Sequence, residues 1–283
     1  MRNRRNENAR AGTRLTIVRR RSLLYSTTKG YHRVFMFLPL LFAVSWFMIS
    51  CGNIRLGRDY RTANRASAEI APDPAKTPEA VVQVYAARAF NWRGIFSLHT
   101  WIATKPENAP HYTVHQVVGW RVRRGLPAVI SAPEIPDRHW FGYRPEVIVD
   151  LRGPKAASAI ERIIDAVENY PYAREYLLWP GPNSNTFTAY IGRQVPELGL
   201  ELPVTAIGKD FLANGAFMER APSGTGFQIS VFGLVGLLVA RQEGLEVNLF
   251  GLGFGIDPLG PALKLPFIGR LGFDLNRRTT SMK

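Results

Sequence analysis

The sequence has a single cysteine, Cys51, and only five histidines among 283 residues. One cysteine excludes an intramolecular disulfide, and the histidines do not have the spacing of ligands on a zinc-binding helix. The chain also lacks a Walker loop and a dinucleotide-binding fingerprint, so we expect no metal and no cofactor. Apolar residues make up 46% of the chain, enough for a packed core and too many for a disordered protein.

Acidic residues are scarce at one end of the chain. Residues 1–70 carry 14 Lys and Arg against 3 acidic residues, whereas the rest of the chain carries 22 basic and 19 acidic residues. A nucleic-acid-binding protein carries its basic excess on the folded domain. The distribution therefore argues against nucleic acid as a partner.

The longest apolar run covers residues 34–51 and directly follows the basic segment 1–33. Its 18 residues reach the lower end of the roughly 17–25 that cross a bilayer as a helix. The basic flank predicts that residues 1–33 stay in the cytoplasm. The run ends at Cys51 in the sequence Met-Ile-Ser-Cys-Gly, which resembles a bacterial lipoprotein cleavage box. An uncleaved anchor, a lipoprotein lipidated at Cys51 and a cleaved signal all stay open, and each places the main domain on the periplasmic or outer side.

The remainder predicts a linker and an α+β core domain. Residues 52–78 are polar and then proline-rich, as in a semi-stiff spacer. Within the core domain, 79–225, we predict an antiparallel meander of three strands, then a structured loop over 125–144, a strand and two helices. The predicted strands are 80–90, 95–104, 112–122 and 146–151, and the predicted helices are 156–169 and 184–193.

Residues 226–283 have a different character. Two apolar runs, 227–240 and 245–257, flank residues 241–244 in a hairpin pattern. The glycines of these runs and the short first run argue against a transmembrane helix. We predict an apolar β-hairpin packed on the core domain, with membrane contact as the alternative.

The stretch 179–187 reads Trp-Pro-Gly-Pro-Asn-Ser-Asn-Thr-Phe. Two prolines and a glycine fix a turn, and the small polar residues that follow are typical of helix N-caps. One interpretation is that Ser184 or Asn185 simply caps a helix. The other is that Ser184 is a nucleophile at a helix N-terminus, where free N–H groups stabilise an oxyanion.

A nucleophilic hydroxyl needs a base that a third group orients. Strand alternation places His99 opposite to Leu98, and His115 or Gln116 on the next strand is the candidate orienting group. The competing interpretation is that His99 is a hydrogen-bonded structural histidine. The candidate binding residues near this site are Asn183, Asn185, Trp101 and Trp179.

The region from about residue 82 to 210 resembles an uncharacterised bacterial membrane-associated family, the domain of unknown function numbered thirty-seven fifty. Such a family implies no activity. The residues that carry the resemblance are 83–88, 99–103, 140–142, 150–153, 179–187 and 206–210.

Two short motifs also resemble the permuted papain-like hydrolases, which include NlpC-type and lecithin retinol acyltransferase-like enzymes. Residues 183–187 are similar to their Asn-Cys-x-x-Phe motif with Ser184 in place of cysteine, and residues 99–102 are similar to their histidine strand. The resemblance implies a permuted papain-like core with Ser184 as nucleophile, His99 as base and His115 as orienting residue.

The sequence thus predicts a membrane-anchored cell-envelope hydrolase or acyltransferase acting on an amide or ester. The alternative is a non-catalytic envelope protein that binds a peptide, glycan or lipid in the same cleft. The expected partners are the membrane, through residues 34–51, and an unidentified envelope ligand or substrate.

Overall fold

The structure is a computed structural model that describes residue 57 and residues 59–272. The predictions for residues 1–33, for the span 34–51 and for lipidation at Cys51 lie outside the described residues. Within the described part of the chain, no helix is both long enough and apolar enough to cross a bilayer.

The first of two antiparallel sheets has five strands in the order β4-β3-β2-β1-β5. The predicted meander of the first three strands and the predicted strand at 146–151 are confirmed. Strand β4 lies inside the segment predicted as a loop. The prolines that border it suggested a loop, but β4 sits at a sheet edge, where proline is tolerated. The strands are β1 (Val81–Arg88), β2 (Leu98–Lys105), β3 (Thr113–Val117), β4 (Val129–Pro133) and β5 (Glu146–Arg152).

Three α-helices lie in the described residues: α1 (Gly119–Val122), α2 (Gly153–Glu168) and α3 (Ser184–Gln194). Both predicted helices are confirmed. Helix α2 begins three residues earlier than predicted, since Pro154 suits the first turn of a helix. Short α1 occupies the end of the predicted third strand.

The first sheet is covered on both faces. On one face, the helix face, Val82, Val84 and Ile102 pack in one apolar cluster with residues of α2 and α3. On the other, the loop face, Tyr85 and Trp101 pack with Trp140 and its neighbours in a second cluster. Residue 102 and residue 101 thus point to opposite sides, as strand alternation requires.

Part of the predicted linker packs on the loop face. The Asp137 carboxylate accepts hydrogen bonds from the Ser67 hydroxyl (2.8 Å) and from the N–H groups of Ile70 (2.7 Å) and Ala71 (3.0 Å). The Tyr112 hydroxyl donates to the Pro72 carbonyl. Residues 67–72 are therefore held against the loop that follows β4.

The second sheet has seven strands in sequence order, each antiparallel to the next. The predicted hairpin about residues 241–244 is confirmed, since the strands on either side of it pair antiparallel. It is part of a larger sheet than predicted, because each apolar run divides into two strands at a tight turn, at Phe232-Gly233 and at Phe250-Gly251. These turns lack the Asn or Asp that usually marks a hairpin. The strands are β6 (Met218–Arg220), β7 (Gly226–Val231), β8 (Val235–Ala240), β9 (Gly244–Leu249), β10 (Leu252–Asp257), β11 (Ala262–Leu265) and β12 (Gly269–Gly272).

The second sheet packs on the rest of the domain through its polar face, which also differs from the prediction of apolar packing. The buried Glu246 carboxylate lies 2.7 Å from Lys209 Nζ and 2.7 Å from Lys264 Nζ. Lys264 also pairs with Glu201 at 2.7 Å. Although burial acts to raise it, the two ammonium groups hold the pKa of Glu246 below its ordinary value. The outer face carries the apolar side chains.

Candidate functional site

Helix α3 begins at Ser184 because Asn183 caps it. The Asn183 side-chain oxygen accepts from the N–H groups of Asn185 (2.9 Å) and Thr186 (3.2 Å). The Thr186 hydroxyl accepts in return from the Asn183 N–H (3.0 Å), which completes a capping box. The Asn183 amide also donates to the carbonyls of Leu178 and Ile207. Both polar atoms of this side chain are therefore engaged inside the protein.

Thr100 is the β2 side chain that faces the start of α3. Its hydroxyl oxygen lies 3.4 Å from the Ser184 carbonyl oxygen, 3.0 Å from the Asn185 side-chain oxygen and 2.9 Å from the Thr188 hydroxyl. Because neighbouring residues of a strand point to opposite faces, His99 points away from α3. The first sheet therefore separates the imidazole of His99 from Ser184.

His99 is enclosed by indole rings on the loop face. Its ring stacks on Trp140, with centroids 3.6 Å apart, and on Trp101, at 5.6 Å. Burial, together with the nearby charge of Arg138, lowers the pKa of His99 to about 3 against the opposing effect of a side-chain hydrogen bond with Gln116, so the ring is neutral at physiological pH. Its Nε2 atom is buried and has no hydrogen-bond partner among the described residues. The proposed base and nucleophile are thus not brought together.

His115 lies on the helix face, paired in register with Ile102. Its Nε2 lies 3.0 Å from the Thr104 hydroxyl and its Nδ1 lies 2.8 Å from the Ser131 hydroxyl. Burial lowers the pKa of His115 to about 4. Both ring nitrogens are occupied and the ring lies across the sheet from His99, so His115 does not orient it.

The four candidate binding residues differ in their surroundings. Asn185 uses its amide to donate to the Leu98 and Ile207 carbonyls, and it is buried like Asn183. Trp101 is buried and donates its indole N–H to the Pro136 carbonyl (2.7 Å). Trp179, in contrast, is 44% exposed. Of these four side chains, Trp179 alone presents a surface to a ligand.

Sequence reasoning missed a stack of four rings that we call the tryptophan column: Trp101, His99, Trp140 and Trp120. Trp120 stacks on Trp140 with centroids 6.1 Å apart and is 47% exposed. The Arg138 guanidinium lies 5.1 Å from the centre of the Trp140 ring, within the distance of a cation–π contact. The column therefore reaches from the buried sheet to the surface.

Basic residues lie next to the exposed end of the column in the sequence. Arg121, Arg123 and Arg124 follow Trp120 directly in and after α1, and the Arg65 guanidinium lies 4.7 Å from the centre of the Phe141 ring. The sequence signal was one Trp followed by three Arg within residues 120–124, Trp-Arg-Val-Arg-Arg.

Within the described residues, no group of His, Cys, Asp and Glu side chains could hold a metal ion.

Comparison with known proteins gives one match. Residues 79–211 match the model of a family described as "Protein of unknown function (DUF3750)", as the sequence predicts. The match covers the first sheet and helices α2 and α3, and it ends before the second sheet begins at Met218. No curated protein and no solved structure matches the chain.

Proposed function

We propose, from the premise that residues 79–211 form a DUF3750 domain, that the protein is a membrane-anchored, non-catalytic cell-envelope protein. Residues 34–51 would hold it in the membrane, with residues 1–33 in the cytoplasm and the domain on the periplasmic or outer side. The domain would bind an anionic glycan at the exposed end of the tryptophan column.

The proposal depends on one observation, the position of the first sheet between His99 and Ser184. General-base activation of a serine requires the two side chains to reach hydrogen-bond distance. Thr100, not His99, faces the start of α3. This favours the binding alternative over the hydrolase or acyltransferase with Ser184 as nucleophile, His99 as base and His115 as orienting residue.

The proposal includes a finer fold assignment: the domain has the general arrangement of a permuted papain-like core. It is supported by the packing of a capped helix, α3, with its N-terminus against the central strand β2. The orientation of His99 is the feature in which the chain departs from an active member of that class.

The chemistry of the surface around Trp120 favours a glycan. A flat indole face is suited to stacking against a sugar ring, and the indole of Trp120 is supported from behind by Trp140. Arg121, Arg123 and Arg124 add positive charge next to it, and arginine forks pair with carboxylate or phosphate groups. A negatively charged envelope polysaccharide presents both features.

The absence of catalysis is tested with the full chain in detergent. A fluorophosphonate probe, which labels nucleophilic serines, should label the parent protein no more than Ser184→Ala. In a Cys51→Ser background, Ser184→Cys should titrate at or above the pKa of an ordinary thiol, about 8.5, with or without His99→Ala, because position 184 is buried. If the parent protein is labelled and both Ser184→Ala and His99→Ala abolish the labelling, the hydrolase hypothesis would be favoured again.

Glycan binding is tested by titrating the same protein with a sulfated or phosphorylated oligosaccharide and following tryptophan fluorescence. Loss of one stacked ring corresponds to about 0.5–1.5 kcal/mol, so Trp120→Ala should weaken binding by roughly 2- to 12-fold. Trp92→Ala is the matched control, since Trp92 is similarly exposed at 52%. Equal loss in both variants, or no binding by the parent, would overturn the glycan assignment.

A further inference from the structure

The outer face of the second sheet is apolar without interruption from β7 to β11. Every outward position in these five strands is Val, Ile, Leu or Phe, and each is exposed or half-buried. Five strands of about six residues cover roughly 500 Å² in projection, at the upper end of what monomeric soluble proteins expose. We call this the apolar face: Phe227, Ile229, Val231, Val235, Leu237, Val239, Leu245, Val247, Leu249, Leu252, Phe254, Ile256, Leu263 and Leu265.

The inward positions of the same strands hold the polar residues. Gln228, Glu246, Asn248 and Lys264 are all buried against the rest of the domain. In a sheet with one face in water, the apolar residues point inward and the polar residues point outward. The second sheet has the opposite arrangement. The alternation along each strand therefore suits an apolar medium outside the second sheet.

Two turns at one end of the apolar face are costly for a protein in water. Phe232 and Phe250 are 67% and 66% exposed. Both have positive φ, 51° and 53°, a conformation that costs a non-glycine residue about 1–2 kcal/mol. Asn would suit both the water and the backbone at these positions. Phenylalanine at these two positions is thus favoured neither by water nor by the backbone, and it suits an apolar medium around the turns.

Trp179 extends this end of the face. A side-chain carbon built on Gly251 would lie 3.0 Å from Trp179 Nε1, so the indole lies directly against the Phe250 turn. Leu177 and Leu178, just before it, are 52% and 44% exposed. A half-exposed tryptophan beside apolar tips is the arrangement found at membrane–water interfaces.

A bilayer fits this surface better than a protein partner does. A protein interface of this size carries about one hydrogen bond per 100–200 Å², and no outward side chain from β7 to β11 can make one. Lipid tails require none, and the backbone groups of the inner strands pair within the sheet, as a lipid environment demands.

The bilayer is also within reach. The predicted span ends at residue 51, and Ser67 is held against Asp137. Sixteen residues extend at most about 55 Å, so an anchor at 34–51 keeps the domain beside the membrane surface.

We infer that the domain lies on the bilayer, with the apolar face in the acyl chains and with Trp179, Phe232 and Phe250 at the level of the lipid headgroups. This inference uses the proposed membrane anchoring but is independent of glycan binding. It makes the protein a two-point membrane protein, held by residues 34–51 and by the second sheet.

The test uses the full chain with Cys51→Ser, reconstituted in phosphatidylcholine vesicles. Single cysteines are placed on the apolar face (Leu237→Cys), at the rim (Phe250→Cys) and, as a control, on the exposed side of α2 (Glu161→Cys). Each is labelled with an environment-sensitive fluorophore, and a share of the lipid then carries a nitroxide on its acyl chain. All three substitutions are at solvent-accessible positions, so each variant should fold.

Acyl-chain nitroxide should quench the probe at 237 by about twofold or more, quench the probe at 250 less strongly, and leave the probe at 161 unquenched. A probe at 237 that resembles the one at 161 would overturn the inference. A probe at 237 that is shielded from water but not quenched would also overturn it, and would assign the face to a second copy or to residues 34–51.

Loss of the anchor is distinguished by vesicle flotation. A chain that floats but shows no quenching at 237 retains the anchor and lacks the second contact.

Discussion

At the scale of single residues, the loop face keeps His99 neutral. A histidine with an ordinary pKa of 6.5 is held at about 3 because burial disfavours its charged form. His115, on the opposite face, is held at about 4 for the same reason. Neither ring has the environment of a base that works near neutral pH.

These two residues predict a pH dependence of stability. Between about pH 6.5 and 5 the unfolded chain binds protons on both histidines and the folded chain does not. The free energy of unfolding therefore falls as pH falls through this window, by up to about 1.4 kcal/mol per pH unit for each histidine. His99→Phe, which keeps an aromatic ring in the stack, should roughly halve that slope. Urea unfolding of the full chain in detergent at several pH values measures it, and identical slopes would contradict the assigned burial of His99.

At the scale of elements, much of the first sheet follows from local pattern. Alternation gave β1 to β3, helical spacing gave α2, and the Asn183 cap marked the start of α3. The orientation of His99 relative to α3 could not be derived in the same way. Alternation tells which residues share a face of a strand, but which face the helix covers depends on packing between elements distant in sequence.

The start of α3 predicts a contrast between two neighbouring residues. Asn183→Ala removes the cap and leaves buried N–H and C=O groups without partners, so it should lower the free energy of unfolding by about 2–4 kcal/mol. Ser184→Ala should change it by less than about 1 kcal/mol, because its hydroxyl has no hydrogen bond to another of the described residues. Denaturant midpoints of the two variants measure the difference. A larger loss of unfolding free energy in Ser184→Ala would show that the Ser184 hydroxyl stabilises the fold.

The Phe-Gly turns predict an opposition between stability and lipid contact. Phe250→Asn places a residue that tolerates positive φ in the turn, so it should raise the free energy of unfolding in detergent by about 0.5–1 kcal/mol. In vesicles it should weaken quenching of a probe at 237. Phe217→Asn, an exposed aromatic outside these turns at 61%, is the control and should bring no gain. A destabilised Phe250→Asn would show that the ring is needed for packing.

At the scale of the whole molecule, buried ions join the second sheet to the rest of the domain. Lys209, between α3 and β6 in sequence, has its pKa held above the ordinary value by Asp210 and Glu246, against the opposing effect of burial. A buried ion pair of this kind adds little net stability, because the cost of removing both charges from water offsets their attraction. Hydropathy analysis could not foresee this, because it assigns apolar side chains to the interior.

Removing one charge of this network should be severe. Glu246→Gln leaves two buried ammonium groups with one partner fewer, and should lower the free energy of unfolding by about 3–5 kcal/mol. Glu197→Gln, which breaks the more exposed pair with Arg162, should cost less than about 1 kcal/mol. Thermal or urea unfolding of both variants tests this. Similar losses of unfolding free energy in the two variants would mean that the buried ion pairs stabilise the fold no more than the exposed pair does.

The position of the second sheet in the chain has a consequence for biosynthesis. Its strands are made after the first sheet, and long after residues 34–51 have left the ribosome. An apolar face produced early would be exposed in the cytosol, where unpaired apolar strands aggregate. If residues 1–51 direct the chain to the membrane as proposed, an apolar face that is made after them meets the bilayer as it folds. Moving these strands to the N-terminal end by circular permutation would remove that protection, even with every contact of the folded domain retained.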